Sequence, residues 1–150
     1  MKTAAITTAL LAAASTAFAA PSDFKRVPKK LELFQLSGAL LTESKPTYLV
    51  QFTLSDPITR NVTHCNARWA QGIARTTKFN CTDHDHQVSF PSGISNIHGF
   101  NMSVSRPDGS EKGQNVVSGD GWVCKDVQES YLETFCNWDG VFDIEISKAS

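Results

Sequence analysis

Thr47-Tyr48-Leu49-Val50-Gln51-Phe52-Thr53-Leu54 decides the fold class of this chain. In an extended backbone successive side chains point to opposite faces, so Tyr48, Val50, Phe52 and Leu54 share one apolar face. Thr47, Gln51 and Thr53 share the other, largely polar one. This is the signature of a strand with one side in a core and one in water. Asp56-Pro57 ends it, because proline cannot donate to a sheet ladder.

The same two-residue period recurs on either side. His98, Phe100, Met102 and Val104 alternate with Gly99, Asn101, Ser103 and Ser105. Arg106-Pro107-Asp108-Gly109 then supplies a turn. Phe142, Ile144 and Ile146 alternate with Asp143 and Glu145, predicting a half-buried strand with a charged outer side. Weaker strands are expected over Leu31–Leu36, Val62–Trp69, Arg75–Cys81, Val88–Phe90, Gly121–Cys124 and Tyr131–Cys136. Lys125–Thr134 fits either a short helical turn or part of a strand, and nothing after the first 20 residues sustains a helical stripe. Many short strands punctuated by turns predict an all-β domain, a small antiparallel barrel or sandwich.

Four cysteines fall into two short-range pairs, Cys65 with Cys81 and Cys124 with Cys136. In a small exported domain an even cysteine count reads as disulfides. Each bridge is expected to join neighbouring strands, across Ala70–Ala74 and across Lys125–Ser130. Export itself is read from the start of the chain. Lys2 gives a positive beginning, Ala4–Ala14 a short apolar run, and Ala17-Phe18-Ala19 a small-x-small cleavage pattern. Residues 1–19 are therefore expected to be a signal peptide, residues 20–30 a basic mobile N-terminus, and residues 31–150 a single β-barrel domain. The apolar run is too short to span a bilayer. Lys25-Arg26 within the cluster Lys25-Arg26-Val27-Pro28-Lys29-Lys30 also fits a dibasic processing site.

Asn61-Val62-Thr63, Asn80-Cys81-Thr82 and Asn101-Met102-Ser103 are N-glycosylation sequons; Asn80 is disfavoured because Cys81 is claimed by a bridge, and Asn61, just after Asp56-Pro57 and Arg60, is the best candidate. The chain has 14 basic and 15 acidic residues, so no basic field points to nucleic acid.

The chain resembles the Alternaria major allergen family of secreted fungal proteins over about residues 31–148. The resemblance is carried by Leu31-Glu32-Leu33-Phe34, the strand ending in Asp56-Pro57, Thr63-x-Cys65, Cys81, Trp122-Val123-Cys124, Phe135-Cys136 and Val141-Phe142-Asp143-Ile144-Glu145-Ile146. It implies a compact antiparallel barrel with sequential bridges Cys65–Cys81 and Cys124–Cys136. It also implies a role as an apoplastic effector, elicitor or allergen, acting by binding rather than by catalysis. Some members carry a further N-terminal cysteine that links two chains; residues 20–64 here contain none, so a monomer or noncovalent dimer is expected.

Candidate chemistry is sparse. In an extended segment, Asp83-His84-Asp85-His86 would set two imidazoles on one face, but zinc or copper needs further ligands, and a polar loop explains the residues without metal. No resident metal or cofactor is expected. His64, His84, His98, Glu133, Arg68 and Arg75 are raw material for a ribonuclease, yet no motif fixes them together. No Gly-x-Ser-x-Gly elbow is present. No catalytic residue is assigned.

Trp122 and Trp138 are expected in the core beside the bridges. Trp69, flanked by Arg68, is expected to be an exposed interaction anchor. The partner would be a host extracellular protein or a small ligand, with neither nucleic acid nor membrane involved. A carrier of a small apolar ligand is the alternative, and a small secreted hydrolase the second.

Overall fold

The structure is a computed structural model that describes residues 28–42, 44–72 and 75–148. The expected leader and Lys25-Arg26 lie outside these residues. Ten strands make one antiparallel sheet: β1 (Lys29–Thr42), β2 (Pro46–Asp56), β3 (Asn61–Ala70), β4 (Lys78–Asn80), β5 (Gln87–Ser89), β6 (Phe100–Ser105), β7 (Glu111–Val117), β8 (Trp122–Asp126), β9 (Leu132–Trp138) and β10 (Phe142–Lys148). No helix occurs among the described residues, so Lys125–Thr134 divides between strand and loop. The fold is a nearly closed antiparallel barrel.

The alternating pattern does what one-sided burial requires. Tyr48, Val50, Phe52 and Leu54 point inward with Leu31, Leu33 and Leu36 of β1, Val88 of β5, and Met102 and Val104 of β6. Ile144 and Ile146 of β10 complete the wall, and these side chains fill the interior. At about 25 cal/mol per Å2 of apolar surface removed from water, this filling is the main stabilising contribution.

β1 organises the sheet. Along one edge it pairs with β2. Along the other it pairs first with β10, through Lys29–Leu33, and then with β9, through Ser37–Leu41. The change of partner follows a bulge at Gln35, whose φ of 53° lets Phe34 and Gln35 both face outward while Leu33 and Leu36 face inward. β9 carries β8 beside it, and the β8–β9 ribbon lays Trp122 across Gly38. A β-carbon at Gly38 would sit 2.9 Å from the indole, so only glycine permits this packing without a shift.

The sheet runs β3-β2-β1-β10-β7-β6-β5-β4, so β3 and β4 are its two ends. The Cys65–Cys81 bridge joins those ends. The bridge joins consecutive neighbouring strands, as expected, and these two strands are also the two ends of the sheet. Beside it, Thr82 N–H donates to the His64 carbonyl at 2.9 Å, His64 N–H donates to Thr82 Oγ1 at 3.1 Å, and Asp83 N–H donates to Thr63 Oγ1 at 3.0 Å. Sulfur and threonine hydroxyls thus replace a backbone ladder at the closing seam. Cys124–Cys136 is different, tying residues already opposite one another in the β8–β9 ladder.

The expected mobile N-terminus is corrected at its last two residues. Lys29 and Lys30 begin β1, and Lys29 Nζ lies 2.8 Å from Asp56 Oδ2 and 3.0 Å from Glu111 Oε2. Arg106 Nε donates to the same Glu111 oxygen at 3.1 Å. Asp56 is 1% exposed. Burial alone would raise the carboxyl pKa values of Asp56 and Glu111. Lys29, with Arg106 on Glu111 and the Ile58 and Thr59 amides on Asp56, outweighs burial and lowers both.

Candidate functional site

Two ends of the barrel differ in chemistry. The end carrying Lys29, Asp56, Arg106 and Glu111 has its charges paired. At the opposite end β3 stops at Ala70 and β4 starts at Lys78, while residues 90–99 cross the mouth between β5 and β6. That crossing segment is pinned from three sides. Ile94 and Ile97 are buried under it, Tyr48 Oη donates to the Ser95 carbonyl at 3.3 Å, and Trp122 Nε1 donates to the Ile97 carbonyl at 2.8 Å.

Between this segment and Trp69, Gly72, Arg75 and Thr77 lies a pocket of about 210 Å3. Its floor is an aromatic cluster: Trp69 stacks on Phe90 with ring centroids 4.5 Å apart, and Phe79 lies 5.4 Å from Trp69. Offset or tilted rings at these distances attract beyond the area they bury, which stiffens the floor. Arg75, Thr77, Ser92 and Ser95 supply polar groups around it. The Arg75 side chain passes over Gly93, its Cγ and Nε 3.7 and 3.9 Å from where a β-carbon would stand.

Trp69 is therefore in the wrong place for an exposed anchor. It is 7% exposed, on the inward face of β3 opposite Tyr48. The inward period Thr63, Cys65, Ala67, Trp69 dictates this, since Cys65 must face the closing seam. Arg68, one residue earlier, is exposed on the outer face. Trp122 is buried as expected, and the half-buried Trp138 packs on Phe142 at 4.8 Å.

The acidic-histidine tetrad is a turn rather than an extended segment. Asp83 Oδ1 accepts from the Asp85 and His86 amides at 3.0 and 3.2 Å, and Asp83 Oδ2 lies 2.7 Å from His86 Nδ1. These bonds reverse the chain between β4 and β5. They leave His84 exposed at φ 59° and His86 buried, so the two imidazoles do not share a face. Among the described residues no three His, Cys, Asp or Glu side chains converge as metal ligands. His64 lies on the outer face of β3, bonded through Nδ1 to Thr53 Oγ1 at 3.1 Å; His98 lies in the mouth segment and Glu133 on β9.

Compared with known proteins, the chain matches no family model, no curated protein and no solved structure.

The sequons are not equivalent. Asn61 is exposed where β3 begins. Asn80 is exposed, but its Oδ1 accepts from Gln87 Nε2 at 2.8 Å. Asn101 is half-buried in β6, and its Oδ1 is enclosed without a partner. Phe79, Phe90, Thr77 and Ser92 were not singled out from sequence. A usable signal was present: the stretches 57–82 and 87–107, from which the lining residues of this pocket are drawn, contain no Asp or Glu at all.

Proposed function

We propose that this chain is a secreted effector- or elicitor-like protein that acts by binding a plant extracellular component, and that the barrel mouth is its recognition surface. The observation that supports a binding role is the mouth pocket itself, a stiff aromatic floor ringed by Arg75 and hydroxyl groups on a barrel whose interior is already filled. A few oriented polar groups over aromatic surface are what small-ligand and peptide recognition requires. Two disulfides are compatible with an extracellular setting. The plant-facing part of the reading rests on the family resemblance alone. In this reading Asn61, exposed beside the turn between β2 and β3, is the sequon that carries a glycan.

The test is leaf infiltration with purified secreted protein, scoring the defence response to wild type, Arg75→Glu, Ser92→Arg and, at the other end, Lys112→Gln. All three replaced side chains are exposed, so the melting temperatures should stay together. The reading expects the two mouth variants to lose the response and Lys112→Gln to keep it. An equal response from all four proteins overturns it.

A further inference from the structure

Arg75 is the one cation among the residues that line the mouth pocket. Lys29 and Arg106 are both committed to carboxylates, whereas among the described residues no hydrogen bond or ion pair engages Arg75. No Asp or Glu is among the residues that line the pocket with it. The opposite wall, Phe90 and Ser92–Ser95, carries no charge. In a chain with net charge −1, a pocket lined by one guanidinium and no carboxylate is locally positive. Guanidinium presents paired N–H donors matched to a carboxylate, and such charge-assisted bonds exceed neutral ones in strength.

Size and lining narrow the ligand further. About 210 Å3 is below the range of pockets that hold drug-sized molecules, about 300–1,000 Å3, and suits a single ring. Thr77, Ser92 and Ser95 place hydroxyl-bearing residues around the same space, which favours a ring with hydroxyl substituents over a bare hydrocarbon. Trp69, Phe79 and Phe90 give the ring an apolar surface to rest on.

We infer that the mouth pocket binds a carboxylate carried on one hydroxylated six-membered ring, with Arg75 as the carboxylate partner. This deepens the proposed recognition role and rests on it. Two sources share that chemistry, a uronic acid and a hydroxybenzoic acid.

The experiment is a titration of the full secreted protein, labelled with 15N, by galacturonate and by 4-hydroxybenzoate, with galactose and phenol as uncharged counterparts. At least one acid should shift the Trp69 indole and the amides of residues 75–79 and 90–95. Whichever acid binds more tightly identifies the source. Its uncharged counterpart should bind about tenfold or more weakly, the usual scale for losing a charge-assisted hydrogen bond. Arg75→Gln should lose a similar factor at unchanged melting temperature, and Arg75→Lys should recover part of it by restoring charge without the planar fork. The inference is overturned if neither acid shifts these signals well above millimolar concentration, if the uncharged rings bind equally well, or if Arg75→Gln binds as wild type does. Leaf infiltration with the mouth variants reads recognition independently, so failure of this ligand class is distinguishable from failure of the mouth as a recognition surface.

Discussion

Replacing Cys65 and Cys81 together by alanine removes the covalent link between the two ends of the sheet, and the consequence differs from removing Cys124 and Cys136. The bridges close similar loops, with separations of 16 and 12 residues. In the chain-entropy account each is worth about 3 kcal/mol, and the two differ by only about 0.2 kcal/mol. Either double variant should therefore melt roughly 10 °C below wild type. Local behaviour is where they part. Trp122–Asp126 still pairs with Thr134–Trp138 when the second bridge is gone. When the first is gone, no strand ladder holds the seam among the described residues; the bonds of Thr63 and His64 to Thr82 and Asp83 and the packing of Trp69 on Phe79 remain.

Native-state hydrogen exchange under mild denaturant separates the cases, because sub-global opening appears as amides exchanging ahead of global unfolding. The Cys65→Ala/Cys81→Ala protein should show early exchange through β3 and β4 with β8–β9 still protected. The Cys124→Ala/Cys136→Ala protein should keep β3 and β4 at the protection of its global stability. Equal protection of β3 and β4 in the two proteins would refute the assignment of Cys65–Cys81 as the closure of the barrel.

Three further outcomes follow from packing and charge. Gly113→Val should cost at least about 3 kcal/mol in denaturant unfolding, since overpacking alone costs about 1–3. The added β-carbon would run into the Glu145 carbonyl oxygen and the Ile144 side chain, and wild-type stability would contradict that contact. Trp69→Ala should cost about 3–5 kcal/mol, as deletion of a large buried aromatic does, and a melting temperature equal to wild type would return Trp69 to the surface. Lys29→Met should cost on the order of 3 kcal/mol because it strands the buried Asp56 carboxylate, and pH should modulate the loss. Asp56 and Glu111 have lowered pKa values in the fold, so their contribution is complete above the ordinary values of 3.8 and 4.5 and disappears as pH falls through the lower folded values. Lys29 has a raised pKa, so its share persists at neutral pH and is lost only as pH climbs beyond 10.5. Wild type and Lys29→Met should thus converge in urea stability toward strongly acidic pH, and a constant gap would contradict the network.

The strands that could be read from sequence were those with alternating side chains; β2 and β10 kept one wetter face, whereas in β6 Ser103 on the polar side is buried as well, donating to the Gly113 carbonyl. β7 escaped notice because its inward positions near the β10 junction are held by Gly113 and, four residues on, Val117, so no apolar period marks it. The bulge at Gln35 hid the length of β1 in the same way, by breaking the period of two between Leu33 and Leu36. Both bridges followed from cysteine spacing. What spacing could not reveal was that Cys65 and Cys81 sit on opposite ends of a curled sheet, a property of long-range pairing. Arg68 beside Trp69 suggests an exposed site, but parity with Cys65 puts the indole on the inward face. The pocket was legible only as a gap in the acidic residues, since its aromatic floor assembles from β3, β4 and the segment after β5.

Recognition at the mouth is tested most directly by the amide spectrum of the 15N-labelled secreted protein as plant apoplastic fluid is added. Shifts or broadening should gather on residues 69–79 and 90–95 and should vanish with Arg75→Glu. Changes centred instead on the outer faces of β8 and β9, or an unchanged spectrum throughout, would contradict it.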